Sequence, residues 1–215
     1  MKTIDLYKIK NIIFDWGGVI THIDFNATID AFNALGVNDF GKYYRKDYQS
    51  MLFQLLEVGE INASDFRELF RETICSGITD EDLDFAWFAM LKKTPPENID
   101  ILKKLGTNFR LCLLSNTNQI HVSLYDQIFK KEFRFENGLR GLFEKTYYSY
   151  EVGYRKPSME IFQYALEDAG LDPQETLFID DSIQNIKPAK ELSIKCIHFA
   201  GDSSLADLLG EVLDK

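Results

Sequence analysis

Positive charge is what this sequence is short of: 24 Lys and Arg face 34 Asp and Glu over 215 residues, a formal net charge of −10 at pH 7. No basic tract offsets the deficit locally. Duplex nucleic acid, which is held mainly through concentrated cations, is therefore not an expected partner. Cysteine is scarce too. Cys75, Cys112 and Cys196 are odd in number, far apart and without a CxxC spacing, as reduced thiols of a cytoplasmic protein would be. Apolar runs never reach the roughly 18 residues of a membrane span, and Asp5, Lys8 and Lys10 break the opening segment MKTIDLYKIK. Neither a membrane partner nor an export signal is expected. The 5 prolines and 13 glycines follow no period, which removes collagen-like and repeat readings. What remains, 45% hydrophobic and 27% charged, is the balance of a globular chain that can build a core without disulfides or structural metal. Nothing in it marks an oligomeric state.

Short apolar runs recur along the chain, and each ends in polar residues. Ile9 to Phe14 runs into Asp15-Trp16-Gly17-Gly18, Phe109 to Leu114 into Ser115-Asn116, Thr176 to Ile179 into Asp180-Asp181, and Ile194 to Phe199 into Ala200-Gly201. Helical patterns separate them: Asn98 to Leu105, about 118 to 130, Ser158 to Ala169 closed by Gly170, 182 to 191, and 203 to 213. Strands alternating with helices predict an α/β fold with a doubly wound, Rossmann-like parallel sheet. Residues 22 to 94 break the alternation with helical signals alone. Phe25, Ile29, Phe32 and Leu35 share one helical face, and Tyr44, Tyr48, Met51 or Leu52, and Leu55 share another. Ser64 to Cys75 reads as a third helix, and Thr79-x-x-Asp82 opens a fourth with a capping-box shape. The expected organisation is a small helical insertion, 22–94, in a core made of 1–21 and 95–215, with Pro95-Pro96 at the return.

Asp15, Ser115 and Asp180-Asp181 each follow a buried strand, and ligands in open parallel sheets sit outside the carboxyl ends of strands. One crevice would thus receive three carboxylates and a hydroxyl, with Lys156 available from the loop Gly153-Tyr-Arg-Lys-Pro157. Three converging carboxylates repel one another, and one would be driven to keep its proton. A divalent cation relieves the conflict, and hard oxygen ligands without a Cys or His cluster favour Mg²⁺. With Lys156 it would leave the site able to accept a phosphate dianion.

These four segments, FDWGGV at 14–19, LLSNTN at 113–118, YRKP at 154–157 and FIDDS at 178–182, resemble in order and placement the four motifs of the haloacid dehalogenase-like (HAD) hydrolases. The insertion resembles that family's small helical cap. The resemblance implies Asp15 as a nucleophile that forms an aspartyl-phosphate, and Ser115 with Asn116 as binders of the transferring phosphoryl group. It further implies Lys156 as a second holder of those oxygens, and Asp15, the Gly17 carbonyl, Asp180 and Asp181 as the Mg²⁺ site. The implied partner is a small phosphorylated metabolite.

Residue 17 departs from the pattern, since most phosphatases of the family carry a second Asp there to protonate the leaving group. Gly17 cannot do so, and such assistance is typically worth roughly 10²–10⁴ in rate. A bacterial subgroup shares this Gly and includes α-D-glucose-1-phosphate phosphatases, which it resembles further in Ile23 to Asn26 and Gly59-Glu60-Ile61. That likeness points to hexose 1-phosphates, whose anomeric oxygen leaves readily, and to Asp24, Phe25, Asn26 and Glu60 as specificity residues. Two alternatives stay open. One is a 2-haloacid dehalogenase, against which the acidic pair argues. The other is a phosphate-ligand binding protein that has lost turnover.

Overall fold

The computed structural model describes residues 8–199 and 204–213. The run NIIF forms β1 (Asn11–Phe14). The chain then leaves the sheet for α1 (Phe25–Ala34), a ribbon of β2 (Tyr44–Arg45) and β3 (Tyr48–Gln49), α2 (Met51–Glu57), α3 (Ala63–Thr73) and α4 (Asp80–Phe88). It returns through α5 (Pro96–Leu105) and alternates: β4 (Arg110–Ser115), α6 (Gln119–Phe133), β5 (Lys145–Tyr148), α7 (Ser149–Val152), α8 (Met159–Ala169), β6 (Thr176–Asp180), α9 (Ile183–Glu191), β7 (Lys195–His198) and α10 (Leu205–Leu213).

The five longer strands form one parallel sheet in the order β5-β4-β1-β6-β7, the expected α/β Rossmann-like architecture. Winding runs outward from β1 through β4 to β5, then resumes on the other side through β6 to β7. The order reverses at β1 and β6, where parallel sheets open a crevice. The strands read as unbroken apolar runs because both faces are covered. Ile12, Phe14, Leu111, Leu113, Leu177 and Ile179 pack on one side, and the alternate Ile13, Cys112, Leu114 and Phe178 on the other.

The insertion contributes an aromatic interior that is continuous with the core on one face of the sheet. Phe32 stacks on Phe40 at 4.0 Å, and Phe53 lies 4.9 Å from Trp87 and 5.4 Å from Phe66, all fully buried. Local chemistry sets its helix ends. Asp24 accepts the Asn26 and Ala27 amides to start α1, Asn62 caps α3, and Thr79 accepts the Asp82 amide to start α4.

One expectation fails here. Tyr44 and Tyr48 do not share a helical face with Leu55; they lie on the β2–β3 ribbon, and the helix begins only at Met51. Four residues join in a hairpin too short to show the period-two pattern that marks a strand in sequence. β5 was not legible either, because Lys145 and Thr146 at this sheet edge break the apolar run.

Two crossing segments join insertion and sheet. The Asp24 amide donates to the Met90 carbonyl at 2.9 Å and the Lys92 amide to His22 at 3.0 Å. Below them the hydroxyls of Thr21, Thr94 and Tyr125 meet in one buried cluster, with Thr21 to Thr94 at 2.6 Å. No helix among the described residues is long and apolar enough to cross a membrane.

Candidate active site

β4, β1 and β6 lie side by side, so the residues at their carboxyl ends emerge together. The Asp15 amide donates to the Ile179 carbonyl at 2.9 Å, extending the β1–β6 ladder to the residue after β1. Asp15, Asp180 and Asp181 each place a carboxylate oxygen within 4.8 Å of the others. Between them lies Lys156, 1% exposed, its Nζ 2.9 Å from Asp15 Oδ1 and 2.7 Å from Asp180 Oδ2. Arg155, its neighbour, turns away from this centre.

The two acidic neighbours are not equivalent. Asp180 is fully buried and held from several sides: Oδ1 accepts the Ser182 amide at 2.8 Å and Asn185 Nδ2 at 2.9 Å, while Oδ2 accepts Lys156 at 2.7 Å and Asn185 Nδ2 at 3.0 Å. Asp181 is partly open, with Lys46 from the β2–β3 turn 3.6 Å away. Gly18, at φ +79, lets Asp181 approach, since a Cβ there would stand 2.6 Å from the Asp181 carboxyl carbon. Asn185, which fixes Asp180, carried no signal in the sequence.

The LSNTN segment resolves residue by residue. Ser115 ends β4, buried at the cleft wall. The Asn116 side chain is committed elsewhere than to a ligand: Oδ1 accepts the Lys156 amide at 2.8 Å and Nδ2 donates to the Lys156 carbonyl at 2.7 Å. It therefore sets the position of Lys156. Thr117 is tied to Ser149 through both backbone groups, and Asn118 caps α6 through the His121 amide.

Burial raises the Asp15 pKa from its ordinary 3.8 to about 8; Asp180 and Asp181 push the same way and Lys156 opposes them. Burial and the Asp180 charge raise Asp181 as well. Burial works to lower Lys156, but Asp15 and Asp180 override it and hold the ammonium charged. One cation among three crowded carboxylates leaves net negative charge. The donor set fits a hard divalent ion, all oxygen and already gathered to metal-ligand spacing.

The cleft above this centre has a volume of about 470 Å³, in the range of small-molecule sites. Asp24, Phe25 and Asn26 line it, although the Asp24 carboxylate is occupied in capping α1. Glu60 does not line it; it is exposed at the turn after α2. Glu57, one helical turn earlier, faces the cleft instead, with Gln49 and Arg155. Burial raises the Glu57 pKa above its ordinary value, against the pull of Arg155. Gly17 leaves room for Ile23: a Cβ there would stand 2.1 Å from Ile23 Cδ1, so a larger residue would need that side-chain tip to turn aside. An apolar side chain from the crossing segment fills the space beside the Asp15 loop.

A family model for haloacid dehalogenase-like hydrolases matches residues 9–192, spanning all four motifs. The chain belongs to this family. Among curated proteins, D-ribitol-5-phosphate phosphatase of Bacteroides thetaiotaomicron is 36% identical over 188 residues, which are 87% of this chain and 90% of that one. A HAD family enzyme of the same organism, solved with magnesium and inorganic phosphate, superposes with a TM-score of 0.83 at 36% identity. The match covers 93% of this chain and 98% of that one. A structure from Porphyromonas gingivalis, described as a predicted HAD-like family hydrolase, reaches a TM-score of 0.86 at 30% identity over 97% and 99% of the two chains.

The sequence motifs single out Asp15, Ser115, Lys156 and the acidic pair. They are silent on Glu57, Gln49 and Lys46, which the insertion brings to the same cleft. Short-range patterns cannot show that a helix 40 residues downstream folds back over the strand end.

Proposed function

We propose that the protein is a Mg²⁺-dependent phosphatase of small sugar or sugar-alcohol phosphates, with 22–94 acting as a cap over the core of 1–21 and 95–215. The reading rests on one observation, the gathering of Asp15, Asp180 and Asp181 around buried Lys156 at the reversal of the sheet. The substrate class is supported by the likeness to a D-ribitol-5-phosphate phosphatase across most of both chains.

Asp15, Asp181, Asp180 and the Gly17 carbonyl would hold the metal. When bound, Mg²⁺ would offset the burial and the carboxylate repulsion that otherwise hold Asp15 protonated, and would stabilise charge on phosphoryl oxygens. The ionised Asp15 carboxylate attacks phosphorus; the bond to the ester oxygen breaks and its electron pair leaves with the alcohol. Water then attacks the aspartyl-phosphate, releasing inorganic phosphate and restoring Asp15. Ser115 and Lys156 hold the phosphoryl oxygens throughout, and Asn116 acts by fixing Lys156. Most of the catalysis is positioning and charge stabilisation.

Gly17 favours a second reading of the substrate. With Ile23 filling the space beside it, residue 17 supplies no acid, so the leaving oxygen must take its proton from water or depart as a weakly basic anion. Hexose 1-phosphates meet the second condition.

A panel of phosphate monoesters assayed with Mg²⁺ tests both readings. Phosphate release from p-nitrophenyl phosphate and from pentitol or hexose phosphates is expected, lost with EDTA and in Asp15→Asn. Equal inertness of wild type and variant across the panel makes the protein a binding module. Chloride release from 2-chloropropionate in EDTA makes it a dehalogenase.

A further inference from the structure

Opposite the carboxylate centre, three side chains that the proposed chemistry does not use lock together on the cleft wall. Gln49, at the end of β3, donates through Nε2 to Glu57 Oε1 at 2.9 Å and accepts at Oε1 from Arg155 Nη1 at 3.0 Å. Arg155 Nη2 lies 3.2 Å from Glu57 Oε2. That approach is off the line of a hydrogen bond, and Oε2 is a buried acceptor with no donor among the described residues. Glu57 is 4% exposed, whereas the Arg155 side chain is 29% exposed, and both line the cleft. Buried acceptors are seldom left unmatched unless a ligand or water completes them.

We infer that Glu57, Gln49 and Arg155 form a hydroxyl-reading end of the cleft that selects polyhydroxylated phosphate esters over bare alkyl phosphates. The inference deepens the phosphatase reading and rests on it. A second anionic group on the ligand would meet Glu57, and a cationic one would meet Arg155. A neutral hydroxyl suits both, donating its proton to Glu57 Oε2 and accepting from the guanidinium. Gln49 spends both ends of its amide on its two neighbours, so it holds the pair in place rather than touching the ligand. Arg155 and Lys156 are consecutive, yet Lys156 points to the carboxylate centre and Arg155 to the insertion. The backbone between them fixes the distance from the phosphate-binding end to the hydroxyl-binding end. Sites built to bond a hydroxyl discriminate strongly against analogues that lack it, because their own polar groups are then left unpaired.

A matched pair of ligands reads this: a pentitol 5-phosphate and n-pentyl phosphate, equal in carbon number and phosphate. The ratio of their kcat/KM values is measured with Mg²⁺ for wild type and for Glu57→Gln, which keeps shape and loses charge. Arg155→Gln gives the same readout should the first variant not fold. Calorimetry on an Asp15→Asn background gives the ratio of Kd values independently of turnover. Wild type is expected to prefer the pentitol ester at least tenfold, and the variant to lose at least fivefold of that ratio. A ratio that falls by less than fivefold overturns the inference, including the case where both esters weaken together and Glu57 merely ties insertion to core. Turnover of both esters by wild type without preference overturns it too and leaves the phosphatase reading standing. A preference seen in binding but with neither ester hydrolysed does the reverse. Binding of neither ester removes both.

Discussion

The interior of the insertion and the cleft edge of the sheet both bury side chains, yet they are filled with opposite chemistry. In the insertion, Phe32, Phe40, Phe53, Phe66, Phe70 and Trp87 are buried ring against ring. At the sheet edge, burial closes over Asp15, Asp180 and Lys156. The first arrangement gains by removing apolar surface from water. The second opposes folding, since it desolvates charges whose mutual attraction is incomplete. Stability and chemistry are thus placed in different parts of the chain, and perturbing each part should show different signatures.

Removing charge from the sheet edge gives the largest expected effect. Asp15→Asn should lower phosphate release by at least about 10³-fold, as loss of a reacting group commonly does. The same variant should respond oppositely in stability. Asp15 titrates ordinarily at 3.8 and near 8 when folded, so between these values the metal-free folded chain holds a proton that the unfolded chain has released. The Asp15 contribution to wild-type stability therefore falls as pH rises from about 4 to 8, and the Asn variant lacks that contribution. Thermal melts in EDTA at pH 5 and pH 8 check this, and a variant advantage no larger at pH 8 than at pH 5 would break the contrast.

In the insertion the sign is reversed. Phe53→Ala removes a ring with five aromatic neighbours and should cost about 3–5 kcal/mol in urea unfolding, independent of Mg²⁺. Loss of binding without loss of stability would show that this interior is not what holds the insertion together.

These regions also differed in how far they could be read in advance. Asp15, Ser115, Asp180 and Asp181 were legible because each stands at a strand end in a motif, and Lys156 because its motif precedes a helix; the parallel sheet does the gathering. Asp180 and Asp181 looked alike in the sequence. Only packing separates them, through Lys156 and Asn185 on one and an open flank on the other. The strands Tyr44–Arg45 and Tyr48–Gln49 were hidden because pairs of residues carry no periodicity. Glu57 was hidden for another reason: its place in the cleft depends on how α2 docks, a tertiary fact with no local signature.

Where the two regions touch beside the Asp15 loop, the apolar one has displaced the polar one. Ile23 occupies the space a side chain at residue 17 would need. Gly17→Asp should cost about 1–3 kcal/mol, as overpacking does. Adding Ile23→Ala should return part of it, giving a favourable coupling of about 1 kcal/mol in a double-mutant cycle. Independent costs that simply add would mean that Ile23 does not hold residue 17 to glycine.

The smallest effect lies at another contact, where His121 of α6 stacks on Trp87 of α4 at 4.8 Å. Its Nε2 donates to the Trp87 carbonyl at 2.9 Å, with Nδ1 left to accept from Asn118. Burial lowers the His121 pKa from 6.5 to about 4, with the Trp87 carbonyl opposing. The folded state thus favours the neutral ring, and the stability it gains is whole above about pH 6.5 and drains away as pH falls toward 4. From pH 7 to pH 6 this one group should cost under about 1 kcal/mol. His121→Gln keeps a donor and an acceptor but does not titrate, so wild type should lose more stability than the variant over that step. Parallel losses would place the acid sensitivity in groups other than His121, and not in the carboxylate centre, whose raised Asp15 gains stability as pH falls. They would also make the contact between aromatic insertion and charged sheet edge indifferent to protons, unlike the edge itself.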